Sequence, residues 1–157
     1  MRKIGFIGCG HMAQALIKGL KSNKSYELLG HDRNSKNIAW LKQEKIASFA
    51  LKEVCHQADI LMICVKPKDM YELCSEMKIH IGKELKIVSV AAGITLENLK
   101  DALSGGRVYR AMPNIGAKHN LGITSIFSHE ELNEILDIFN YLGKAIVVED
   151  EDKINLH

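Results

Sequence analysis

The stretch from Lys3 to Lys24, KIGFIGCGHMAQALIKGLKSNK, constrains the fold more than any other part of the chain. An apolar run (Ile4, Phe6, Ile7) leads into Gly8-Cys9-Gly10-His11-Met12-Ala13, and good helix formers follow from Ala13 to Leu20. Strand, glycine turn and helix stand in the order a dinucleotide site requires. Gly8 can take the tight turn, and Gly10 lets the backbone approach a pyrophosphate with no Cβ in the way. Ala13, in the third glycine's place, is small enough for close helix-on-strand packing. The first free N–H groups of the helix then face the anion. A lone G-x-G-x-x-A is a weak signal, so the other strand ends must decide.

The length of 157 residues suits one domain with a proper core. The 21 basic and 19 acidic side chains are interspersed and leave a formal net charge of +2, so no block of like charge points to nucleic acid or a membrane surface. The N-terminus does not read as a signal peptide. The longest apolar stretch, Ile60 to Val65, is far too short to span a bilayer. A soluble, cytoplasmic protein is expected. Four cysteines, Cys9, Cys55, Cys64 and Cys74, show no C-x-x-C spacing and are expected to be buried free thiols. Seven scattered histidines form no H-x-H or H-x-x-x-H pair, so no metal site is expected.

Along the chain, Tyr26 to His31 reads as a second strand ending at Asp32, close to the ~20-residue spacing from the glycine turn at which an acidic side chain holds the adenosine ribose. Asn34-Ser35 can cap a helix to about Lys45, with Ile38 and Leu41 inward. A brief strand at Ala47 to Phe49 precedes a short helix near Leu51 to His56. The continuous run Ile60 to Val65 suits a central parallel strand buried on both faces. It stops at Lys66-Pro67, and proline marks strand ends. Lys68 to Lys78 reads as a helix with Met70, Leu73, Cys74 and Met77 packed on the sheet. Lys86 to Val90 is a strand ending at Ala91-Ala92-Gly93. Thr95 caps a helix carrying Leu96, Leu99 and Leu103, which Gly105-Gly106 ends. Arg107 to Met112 is a strand closed by Pro113-Asn114. After the loop Ile115 to Leu121, Gly122 to Phe127 resumes a strand. Ser128 to Glu131 has the form of a capping box for a helix with Leu132, Ile135, Leu136, Phe139 and Leu142 on one face. Lys144 to Val148 is the last strand. The fold class is α/β, a Rossmann-like doubly wound, mostly parallel sheet, with antiparallel strands at the C-terminal edge.

Three segments together go beyond a generic dinucleotide fold: Ile7 to Ala13, Ala58-Asp59 with Val65-Lys66-Pro67-Lys68, and Ser89-Val90-Ala91-Ala92-Gly93 with Arg110-Ala111-Met112-Pro113-Asn114. In these the chain resembles the N-terminal domain of pyrroline-5-carboxylate reductase, over Met1 to about Asp152. The resemblance implies an oxidoreductase that reduces the ring imine of 1-pyrroline-5-carboxylate to L-proline with NADPH or NADH, the last step of proline biosynthesis. It implies that Gly8, Cys9, Gly10, His11, Met12 and Ala13 hold the pyrophosphate and that Asp32, Arg33 and Asn34 meet the adenosine ribose. Cys64, Val65, Lys66 and Pro67, with Ala91, Ala92 and Gly93, would line the cofactor, and Asn114 would lie where nicotinamide and substrate meet. Ile115-Gly116 replaces the usual Thr-Pro, Lys68 replaces a common glutamine, and Leu51 stands where asparagine is frequent. In the family a helical, dimerising C-terminal domain follows and carries the catalytic and substrate-binding groups. Residues 1–149 are therefore expected to be the dinucleotide-binding domain and 150–157 the start of the link to that second domain. The chain is expected to be an inactive fragment, and a homo-oligomer only with that domain present.

Arg33 can pair a cofactor 2′-phosphate or be a solvated loop residue, and Lys36 nearby favours the phosphate and hence NADPH, with NADH as the alternative. Lys66 can approach the cofactor or face solvent. His11 is read as covering the pyrophosphate or pointing outward, and Cys9 as a space-filler. Asn114 can touch the reaction centre or hold an Asx-type turn. Two other readings stand beside the reductase: a related deazaflavin- or hydroxyacid-linked dehydrogenase, against which RAMPN after AAG argues, and a stand-alone NAD(P)-binding or regulatory module.

Overall fold

The computed structural model describes residues 1–114 and 122–155; the expected loop from Ile115 to Leu121 lies outside them. Their strands form one sheet: β1 (Arg2–Ile7), β2 (Tyr26–His31), β3 (Ala47–Ser48), β4 (Ile60–Ile63), β5 (Lys86–Ser89), β6 (Arg107–Pro113), β7 (Ile123–Phe127) and β8 (Lys144–Val147). The order across the sheet is β3-β2-β1-β4-β5-β6-β7-β8. Every pairing is parallel except β6 with β7, which is the antiparallel step expected near the C-terminal edge. The order reverses between β1 and β4, so the crevice beyond their carboxyl ends is a topological switch point.

Among the described residues six helices cover the two faces: α1 (His11–Leu20), α2 (Ser35–Gln43), α3 (Leu51–Gln57), α4 (Met70–Met77), α5 (Leu96–Leu103) and α6 (Asn133–Leu142). In β4, Ile60 and Met62 point into the core under α1, α2 and α6. Leu61 and Ile63 point into the core under α3, α4 and α5. All four are fully buried, which is why this strand reads as a continuous apolar run rather than an alternating one. Met70, Leu73, Cys74 and Met77 are all buried along α4, and Leu96, Leu99 and Leu103 along α5. Helical spacing in the sequence thus marks the packed faces.

Four local expectations are corrected. Ile38 is 37% exposed while Leu41 is fully buried, so α2 packs through Leu41 with Trp40 partly buried beside it. The left-handed residue ending α5 is Ser104 (φ 54°), not one of the two glycines behind it. Pro67 starts a 3₁₀ turn (Pro67–Asp69), which delays α4 to Met70. Ser128 does not cap α6: its hydroxyl donates to the Val108 carbonyl at 2.6 Å and accepts from the Glu130 N–H, tying the end of β7 to β6. The helix begins later, where the Glu131 carboxylate takes the Asn133 N–H.

A second 3₁₀ turn, Glu151–Asn155, packs against the sheet with Ile154 in the core. Its Glu151 carboxylate accepts from the Leu96 N–H at 2.6 Å, at the start of α5, and from Arg110 Nη1 at 2.9 Å. The Arg110 side chain is only 4% exposed. Its Nε and Nη2 have no partner among the described residues, so Glu151 is its one counter-charge there. Removing one member of a buried pair leaves an uncompensated charge. Glu151→Ala should therefore lower the unfolding free energy in a urea titration by about 3 kcal/mol. Asp152→Ala, at an exposed neighbour, should stay within ~0.5 kcal/mol of the parent.

Candidate functional site

Parallel pairing sets Ile7, Ile63 and Ser89 at one level across β1, β4 and β5, and Arg110 of β6 beside Ser89. The segments that follow, Gly8 to Gly10, Cys64 to Pro67, Val90 to Gly93 and Met112 to Asn114, therefore emerge from the same edge of the sheet. Gly8 has φ +83°, and a Cβ there would lie 2.8 Å from Val65 Cγ1 and 3.1 Å from the Cys64 carbonyl carbon. Only glycine suits both the conformation and the space. The Gly8 N–H donates to the His31 carbonyl at 2.9 Å, and the Cys64 N–H to the Ile7 carbonyl at 2.8 Å, so the turn is stitched to both flanking strands.

Gly10 is the N-cap of α1, and no side chain caps the helix. A Cβ on Gly10 would meet nothing within 4 Å. The first turn of α1 also holds no acidic residue. A helix start whose N–H groups no side chain claims, facing clear space and with no acidic residue in its own first turn, fits an anion such as a pyrophosphate. Ala13 is fully buried against the sheet, as its place in the motif requires. His11 is exposed at the first turn.

Asp32 organises the loop. Its Oδ2 accepts from the Cys9 N–H at 2.6 Å and from Asn37 Nδ2 at 2.9 Å, and its Oδ1 accepts from the Asn34 N–H at 2.8 Å. Partial burial pushes its carboxyl up, but the Asn34 and Cys9 N–H groups, the Asn37 amide and the Arg33 backbone outweigh it and hold it below the ordinary value. Asn34 caps α2, its side-chain oxygen accepting from the Lys36 N–H.

Beside the turn lies a cavity of about 400 Å³, floored by Ile7 and Gly8, walled by His31 to Asn34 and Val65, and closed by Asp69, Glu72 and Glu76 of the α4 segment. That volume is in the range of small-ligand pockets. Of the expected site residues, Gly8, Asp32, Arg33, Asn34 and Val65 line this cavity. Lys66, Pro67, Ala92, Gly93 and Asn114 are exposed on the same edge, and Ala91 is buried beneath them. The Asn114 N–H donates to the Ile123 carbonyl, fixing the end of β6 on β7. Lys36 is not among the lining residues. The acidic row Asp69, Glu72 and Glu76 was not singled out from the sequence, although its helical spacing opposite the buried stripe was the available signal.

The four cysteines are free. Burial, with the Asp32 charge behind it, pushes the Cys9 thiol up to about 12, and burial pushes Cys55 and Cys74 up to about 11. Burial also raises the Cys64 thiol, so thiolate chemistry is suppressed at neutral pH throughout. Among the described residues no cluster of three or more His, Cys, Asp or Glu is placed to hold a metal ion, and no helix is long and apolar enough to cross a membrane.

The sequence family described as "NADP oxidoreductase coenzyme F420-dependent" matches residues 3–93. The pyrroline-5-carboxylate reductase of Escherichia coli (strain K12) is 35% identical over 158 aligned positions, which cover 94% of this chain and 59% of that protein. The chain thus spans about three fifths of the length of that relative. Among solved structures, a pyrroline-5-carboxylate reductase from Coxiella burnetii superposes with a TM-score of 0.87 at 26% identity, over 96% of this chain and 60% of the other. The Plasmodium falciparum enzyme, solved with NADP bound, superposes with a TM-score of 0.77 over 96% of this chain and 59% of the other. At 21% identity that last likeness speaks to the fold alone.

Because Asp32 is depressed, its contribution to stability is complete above the ordinary carboxylate value and is lost as pH falls through the lower folded value. Asp32→Asn should cost about 1 kcal/mol in urea unfolding at pH 7, and the gap to the parent should close as the pH falls below ~4.

Proposed function

We propose that this chain, which belongs to the NADP oxidoreductase coenzyme F420-dependent family, is the cofactor-binding part of a reductase that converts 1-pyrroline-5-carboxylate to L-proline with NADPH, and with NADH as the alternative coenzyme. The observation that carries the reading is the uncapped start of α1, facing clear space at Gly10 beside the cavity that ends in Asp32, Arg33 and Asn34. The matched family region ends at Gly93, so the imine substrate rests on the relatives named above and on Arg110 to Asn114.

In this reading the Gly8 to Ala13 turn holds the pyrophosphate through backbone N–H groups, which need no side-chain reorganisation. Asp32 holds the turn in shape through the Cys9 N–H, and Arg33 with Asn34 meets the adenosine ribose. Cys64 to Pro67 and Ala91 to Gly93 line the nicotinamide half, and Asn114 stands nearest the reaction centre. When bound, the nicotinamide supplies the hydride that the imine carbon accepts. The chain's own residues contribute orientation and exclusion of water. Groups that grip the substrate carboxylate and serve the imine nitrogen belong, in this proposal, to the part of the relatives outside the match. The dinucleotide-binding domain takes in residues 1–149 together with the Glu151–Asn155 turn, whose Ile154 lies in its core. The working enzyme is a cytoplasmic homo-oligomer.

Gly10→Asp separates binding from folding. A Cβ fits there, and aspartate is a better N-cap than glycine by a few tenths of a kcal/mol or so. Thermal stability should hold or rise slightly, while NADPH affinity, read by calorimetry, should fall by at least ~100-fold because a carboxylate replaces the open anion site. Unchanged NADPH binding in Gly10→Asp, or none in the parent chain, rejects the site.

A further inference from the structure

The adenosine end of the cavity is acidic. Of its lining residues, Asp32, Asp69, Glu72 and Glu76 carry carboxylates, and Arg33 carries the one permanent cation. That cation already has partners. Arg33 Nη2 donates to Glu76 Oε1 at 2.8 Å and Oε2 at 2.9 Å, and Arg33 Nη1 lies 3.9 Å from Glu72 Oε1. The pair spans the mouth from the β2–α2 loop to α4.

We propose that Glu72 and Glu76 compete with the 2′-phosphate of a bound coenzyme for Arg33, so that α4 sets how strongly NADPH is favoured over NADH. The inference rests on the dinucleotide reading of the site and adds to it a determinant on a helix that carries no part of the glycine turn. The Arg33 side chain is 68% exposed and that of Glu76 is 42% exposed. Such an exposed pair is weak and can be displaced. A phosphate monoester carries close to two negative charges and three acceptor oxygens, so it can take the guanidinium from a single carboxylate. The two glutamates then remain beside it as like charges with no cation of their own in the cavity. Asp32 offers no relief, being itself a carboxylate that the Cys9, Asn34 and Asn37 donors hold in its charged form. NADH, with a free ribose hydroxyl, brings no added charge and leaves the Arg33–Glu76 pair intact. The acidic row therefore penalises only the phosphorylated coenzyme.

The test compares NADPH, NADH, adenosine 2′,5′-bisphosphate and 5′-AMP by calorimetry on the full chain, in the parent and in the double variant Glu72→Gln/Glu76→Gln. NADPH and the bisphosphate should bind about tenfold more tightly to the variant, with NADH and 5′-AMP within about twofold of the parent. Both positions are exposed, and a thermal melt checks that the fold is kept. In an Arg33→Ala background the same glutamate changes should give about a twofold gain or less, because there is no cation left to release. An NADPH-to-NADH affinity ratio that stays constant or falls in the double variant overturns the proposal. So does a full tenfold gain without Arg33, which would make the effect plain repulsion. If the parent binds none of the four probes, the dinucleotide reading itself fails, and that is seen before any variant is compared.

Discussion

The crevice depends on one carboxylate. Asp32 sits where β2 ends and collects donors from the glycine turn, from the loop after β2 and from α2. Without it the Cys9 N–H would lose its acceptor, and the turn would be left to its backbone links to β2 and β4, the Gln14 amide on the Cys9 carbonyl and the weak Cys9 thiol contacts. Charge-assisted hydrogen bonds from fixed N–H groups suit this task, being short and directional. One side chain thereby ties together the end of β2, the turn after β1 and the first turn of α2.

That role qualifies a sequence rule of long standing in folds of this kind. An acidic residue at the right distance after the glycine turn is read as a ribose ligand, and here its oxygens already accept three hydrogen bonds from the protein itself. Spacing locates the residue; it does not say which way the oxygens face, because that follows from which N–H groups the neighbouring loop presents. The same limit applies to Lys36. Its nearness in sequence to Arg33 suggested a second cation, yet its backbone serves the Asn34 cap and its side chain is not part of the cavity wall.

Much of the architecture was legible because burial is periodic. Ile60 to Ile63, the stripe on α4 and the leucines of α5 all declare their buried faces by composition and spacing alone. The antiparallel step at β7 was legible from the short connection after β6. Local polar chemistry was harder to read. Ser128 has the spacing of a helix cap, but its hydroxyl was claimed by a carbonyl twenty residues earlier in the chain. Ser104 adopts the left-handed conformation although two glycines follow it. In both cases a contact distant in sequence, or a one-residue shift in where a helix stops, decided between options that the local pattern leaves equal. The acidic face of α4 went unremarked for a related reason: a polar helix face reads as solvated until the fold brings a loop to it.

The Glu151 turn has a consequence for ligand selectivity. Both α1 and α5 begin at the ligand-binding edge of the sheet, and the backbone dipoles at either start attract an anion. At α5 the protein answers that attraction itself, with the Glu151 carboxylate seated on the Leu96 N–H and neutralised from behind by Arg110. At α1 no side chain does so. An internal carboxylate tethered in place outcompetes any free phosphate at α5 by proximity alone. The chain thus carries its own resident anion at α5, where Thr95 also caps the helix and Glu97 stands in the first turn, and leaves the start of α1 open to the charge of an incoming dinucleotide.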